Sequence, residues 1–123
     1  MNKAMEQDYH LALCDIQNGY VVHSRMYCAN TTGINAFKEH ISRLEGVFIG
    51  NSDLDKMKLY LKDLADSLNK WHSDCSLELI FHDKWHGDNC SGFEVYSNYC
   101  DRPVCDIYFI RVNKTVCFET NND

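Results

Sequence analysis

The chain has 123 residues, 45% of them hydrophobic, enough for one core, and the length bounds the reading to a single domain over residues 1–123. The net charge is −6 and no apolar run approaches the ~20 residues of a bilayer span, which excludes a membrane helix and argues against nucleic-acid phosphates as a ligand. The charge is uneven: residues 74–123 set nine acids against Lys84, Arg102, Arg111 and Lys114, a net of −5, whereas residues 1–73 hold nine acids and eight bases.

At the start of the chain, Met1 to Asp8 carries one Lys3 and no apolar stretch. No secretory leader is therefore expected, and the expected setting is the cytoplasm, with most of the seven cysteines as thiols. Three sequons, at Asn30, Asn89 and Asn113, support an alternative, a secreted domain held by disulfides.

Tyr9–Ile16 and Tyr20–Cys28 are β-compatible runs separated by Gln17-Asn18-Gly19. Asn-Gly suits the positive φ angles of a type I′ turn, so a hairpin over 9–28 is predicted. Its register would set Cys14 opposite His23 and Ala12 opposite Arg25. A thiol beside an imidazole is the arrangement of a cysteine nucleophile.

Two helices follow. Thr32 can cap the first, and Ile34, Phe37, Ile41 and Leu44 make one apolar stripe, ending at Gly46, which predicts a helix at about 33–45. Ser52-Asp53-Leu54-Asp55 resembles a capping box. Leu54, Met57, Leu61, Leu64, Leu68 and Trp71 then predict a second amphipathic helix at about 52–71.

Residues 75–120 read as an antiparallel meander with strands at Cys75–His82, Phe93–Tyr99, Val104–Val112 and Thr115–Glu119. Asn113-Lys114 would be a tight turn placing Phe109 opposite Phe118. The whole predicts an α+β fold: a two-layer sandwich of about five or six mostly antiparallel strands with two helices on one face.

Two groups of side chains stand out. The loop His82 to Gly92 gathers His82, His86, Asp88 and Cys90, all zinc-competent types, although their spacing matches no established zinc signature. A zinc-stabilised module or small metal-dependent enzyme centred on 82–90 is one reading. Cys100 and Cys105, across Pro103, could form a disulfide or bind metal.

The other group is a set of aromatic and acidic residues in the C-terminal half. Trp85, Asp83, Asp88, Glu94, Tyr96, Tyr99, Asp106 and Tyr108 suit a protein-binding patch, because tyrosine and tryptophan supply area at low entropic cost. Phosphate-loop, nucleophile-elbow and His-Glu-x-x-His signatures are absent, which favours binding over catalysis. The expected function is a small acidic inhibitor acting on a basic, nucleic-acid-handling partner, as immunity proteins and phage counter-defence proteins do. That expectation rests on type, without a shared motif.

Overall fold

The computed structural model describes residues 13–27 and 31–118. In chain order they form strand β1 (Leu13–Met26), helix α1 (Thr32–Ser42) and strand β2 (Phe48–Gly50). A 3-10 turn (Asn51–Asp53), helix α2 (Leu54–Trp71) and strands β3 (Leu77–His82), β4 (Cys90–Ser97) and β5 (Cys105–Phe118) follow. The strands make one five-stranded sheet in the order β2-β1-β5-β4-β3. Every neighbouring pair is antiparallel.

The α+β architecture agrees with the sequence reading. Val22, Phe93, Val95, Cys105, Ile107 and Phe109 alternate onto one face of the sheet and are fully buried. Ile34, Phe37 and Ile41 of α1 and Leu61 and Ala65 of α2 pack on them. Phe93 and Phe109 meet edge to face at 6.1 Å. Each such side chain contributes about 1.5–3 kcal/mol on leaving water. Among the described residues no helix covers the opposite sheet face. Among the described residues, no helix is long and apolar enough to cross a membrane.

The predicted hairpin over 9–28 is corrected. Its described part is a single strand of 14 residues that passes straight through Asn18 and Gly19. Tyr9 to Ala12 and Cys28 lie outside the described residues. The predicted turn at Asn113-Lys114 is likewise absorbed into β5, and the backbone of Phe109 pairs with Val22. The two long strands pair with each other over their whole length, with Asn18 opposite Asn113. Ladder hydrogen bonds at alternate rows along the whole pairing outweigh a local turn preference. Gly19 serves a steric need instead, since a Cβ there would stand 2.2 Å from the Ile49 carbonyl oxygen, where β2 crosses.

β2 pairs with β1 only at Gly19–Val21, and β4 pairs with β5 only at Cys105–Ile110. Residues 13–18 and 113–118 therefore run beyond the sheet as a two-stranded ribbon. In it Ile16 is 65% exposed.

Smaller expectations also shift. The cap of α1 is Thr31, whose hydroxyl accepts from the Ile34 N–H at 3.2 Å. No side chain caps α2, so the box at Ser52 does not form. Trp71, the last member of the α2 stripe, is 79% exposed. Cys14 sits in the same strand as His23, so the two do not face each other. The backbone opposite Cys14 is Cys117, and that opposite His23 is Tyr108. Cys14 is disulfide-bonded, an exception to the expectation that most of the cysteines are thiols. Cys75, Cys90 and Cys105 do carry thiols, so no disulfide spans the turn from Cys100 to Cys105.

Candidate functional site

The helix-free face concentrates polar and aromatic side chains in two rows across the sheet. One row runs Arg25, Asp106, Glu94, Ile80 on β1, β5, β4 and β3. The next runs His23, Tyr108, Gly92, His82 on the same strands. Period-two alternation puts all of them on one side.

Asp106 is the centre of the first row and is only 6% exposed. Its Oδ2 accepts hydrogen bonds from the hydroxyls of Tyr27 at 2.7 Å and Tyr108 at 3.0 Å. Its Oδ1 is buried and has no partner among the described residues. Arg25 lies across the ladder, yet its guanidinium sits over the Tyr27 ring at 5.5 Å. Glu94, beside Asp106 on the next strand, accepts from the Tyr96 hydroxyl at 2.6 Å and shares a 2.5 Å hydrogen bond with His82 Nε2.

Trp85 closes the site from the β3–β4 loop. Lys84 and His86 on either side of it both take positive φ, 51° and 64°, a conformation that costs L residues energy. That path folds the indole back onto the sheet over Gly92. The ring stands 5.1 Å from His82 and from Tyr108, and 4.9 Å from His86.

Burial and then the bond to Asp106 push the Tyr108 hydroxyl up to about 12. The bond to Asp106 raises Tyr27, and the bond to Glu94 raises Tyr96. The Tyr96 hydroxyl holds the Glu94 carboxyl below its ordinary range; burial opposes this and the His82 bond reinforces it. Burial lifts Cys105 to about 12, with the Asp106 charge adding to it, and also raises Cys90. The phenols remain donors and the carboxylate remains an acceptor at neutral pH. Each of these thiols and phenols is shifted away from its anion.

Of the residues expected from sequence, Trp85, Glu94, Tyr96, Asp106 and Tyr108 lie together on this face. Asp83 and Asp88 do not join them; they line a separate open cleft of about 310 Å³ with Cys90, Lys58 and Arg111. Tyr99 is a structural latch whose hydroxyl donates to the Ser73 carbonyl at 2.9 Å. The zinc set is dispersed: His82 is engaged with Glu94, His86 stacks on Trp85, and Asp88 and Cys90 belong to the cleft. Among the described residues no three metal-ligating side chains converge.

Arg25 and Tyr27 are additions to the site. Period-two alternation along β1 sets them on one face with His23. The assumed hairpin gave them the wrong neighbours. Comparison of the chain with models of known protein families, with curated proteins and with solved structures finds no match.

Proposed function

We propose that the helix-free face is a protein-binding surface for a basic partner, and that the chain acts as an inhibitor by covering a basic, nucleic-acid-handling surface. The observation that carries this reading is the buried, unpartnered Oδ1 of Asp106. A buried carboxylate oxygen left without a donor costs free energy, and a lysine or arginine from a partner supplies one. Glu94 next to it adds negative charge, and Trp85, Tyr27 and Tyr108 offer aromatic faces that attract cations. The net −5 of residues 74–123 draws a basic partner in from a distance.

A short arginine-rich peptide serves as the first probe, followed by a protein captured from host lysate. Asp106→Asn and Trp85→Ala should each weaken binding by at least ~1 kcal/mol with the fold intact, and added salt should slow association. An inhibitor should also block the captured partner's activity. Variants that bind like wild type would show the face to be wrongly chosen.

A second reading concerns the compartment. The Cys14 disulfide is a bond that persists in oxidising surroundings. Asn89, the acceptor of one sequon, is exposed on the β3–β4 loop. Both favour a secreted binding domain, whereas the thiols at Cys75, Cys90 and Cys105 are what the cytoplasmic reading rests on. Protein from the natural source should carry an N-glycan at Asn89 in the first case. In the second it should be unmodified and label at Cys14.

A further inference from the structure

β3 is an outer strand of the sheet. At its start the Asn69 carboxamide takes the place of a neighbouring strand. Its Nδ2 donates to the Leu77 carbonyl at 2.9 Å, and its Oδ1 accepts from the Leu77 N–H at 2.7 Å. The Leu77 backbone therefore faces out of the sheet. Backbone groups along a strand alternate in direction, so Leu79 and Phe81 turn their N–H and C=O outward too. Among the described residues no strand lies beyond them and nothing else accepts or donates there. Ile80, between them on the helix-free face, is 39% exposed.

We propose that this edge pairs with the same edge of a second copy, antiparallel, about a two-fold axis at Ile80. In that register Ile80 meets Ile80 of the second copy, Leu79 meets Phe81, and Glu78 meets His82. Each row is complementary: a carboxylate against an imidazole on one face, and leucine against phenylalanine on the other. His82 engages Glu94 through Nε2, and in the imidazolium form its Nδ1–H would meet the incoming Glu78. The Leu79–Phe81 rows exchange both backbone bonds on each side of the axis. Such self-complementarity is what an isologous dimer requires. Neighbouring registers are worse. Centring on Leu79 sets Glu78 against Ile80 and needs the Leu77 backbone, which Asn69 already holds. Centring on Phe81 sets Ile80 against His82 and runs past the end of the strand.

The test is the self-association of the full chain. Sedimentation equilibrium up to about 1 mM should show a monomer–dimer equilibrium. Ile80→Lys puts like charges on the axis and should weaken it at least tenfold while leaving the circular dichroism spectrum unchanged. Ile80→Ala, which cannot repel, should weaken it less. The Ile80 pair is non-hydrogen-bonded, with Cα atoms about 4.5 Å apart, within disulfide reach. The Ile80→Cys chain should therefore give a covalent dimer on mild oxidation, and Glu78→Cys should give no more than wild type. A monomer throughout the range overturns the proposal. So does an association indifferent to Ile80→Lys, or equal cross-linking of the two cysteine variants.

Discussion

Trp85 lies on Gly92. A Cβ built at Gly92 would stand 3.1 Å from the indole and 2.0 Å from the Ile107 carbonyl oxygen. The missing side chain therefore both lets β5 approach and makes the seat of the ring. Gly92→Ala should cost about 1–3 kcal/mol by overpacking. It should also displace Trp85. Urea titration reads the first effect, and emission of Trp85 in a Trp71→Phe background reads the second. A variant with wild-type stability and emission would mean that Gly92 does not set the seat.

The α2 stripe separates residues of one pattern into two energetic classes. Leu61 is fully buried, whereas Trp71 is 79% exposed. Leu61→Ala should cost about 2–5 kcal/mol. Trp71→Ala should fall within about 0.5 kcal/mol of wild type, as surface changes do. Chemical denaturation of both variants decides it, and similar losses at the two positions would contradict the packing described.

Acid should act through Glu94 and Glu45. The Glu94 carboxyl is held below its ordinary 4.5 by the Tyr96 hydroxyl, with burial opposing and His82 assisting. At Glu45 burial pulls upward, but the bonds to His23 and Ser24 outweigh it and the net shift is down. A carboxyl whose folded pKa is depressed stabilises the fold above its unfolded pKa. That contribution disappears as pH falls through the folded value. Stability should thus decline as pH drops below about 4.5, and Glu94→Gln should make the decline shallower. Urea midpoints measured from about pH 6 to about pH 3 give the two slopes, which would be equal if Glu94 contributes nothing.

Thiol chemistry should divide native from unfolded protein. Burial, with the Asp74 charge adding to it, lifts Cys75 to about 11, and burial lifts Cys105 to about 12. At about pH 8 little thiolate forms at either, so both should label slowly until the chain unfolds. Reducing the unfolded chain should then release a further pair of thiols from the Cys14 disulfide. Fast labelling of Cys105 in the native state would contradict its burial. No gain on reduction would contradict the disulfide.

The helices were legible because their signal is local and repeated. Ile34, Phe37 and Ile41, and Leu61 with its neighbours, recur at 3-4 spacing, and that spacing alone selects a buried face. The alternation of Leu77, Leu79 and Phe81 announced β3 in the same way. The long strands were misread at Asn18-Gly19 and Asn113-Lys114, where a turn signal met a pairing that no local window contains. Gly19 is glycine for β2's sake, a contact some thirty residues away in sequence. The site was legible on β4, β5 and the loop, where Trp85, Glu94, Tyr96, Asp106 and Tyr108 share a face. Arg25 and Tyr27 could join Asp106 only once β1 was known to pair with β5.

The ribbon beyond Gly19 and Val112 gives the molecule two tiers of cooperativity. Its rows have backbone bonds but no described core beneath them, and a lone two-stranded ribbon is marginal in water. It can open without disturbing Phe109 or Val22. Amide exchange should therefore be fast and only weakly denaturant-dependent at Ile16 and Lys114, and as slow as global unfolding at Val22 and Phe109. Cys14, itself disulfide-bonded, stands on the first tier, so the projecting arm carries one end of a covalent tie that the sheet core does without.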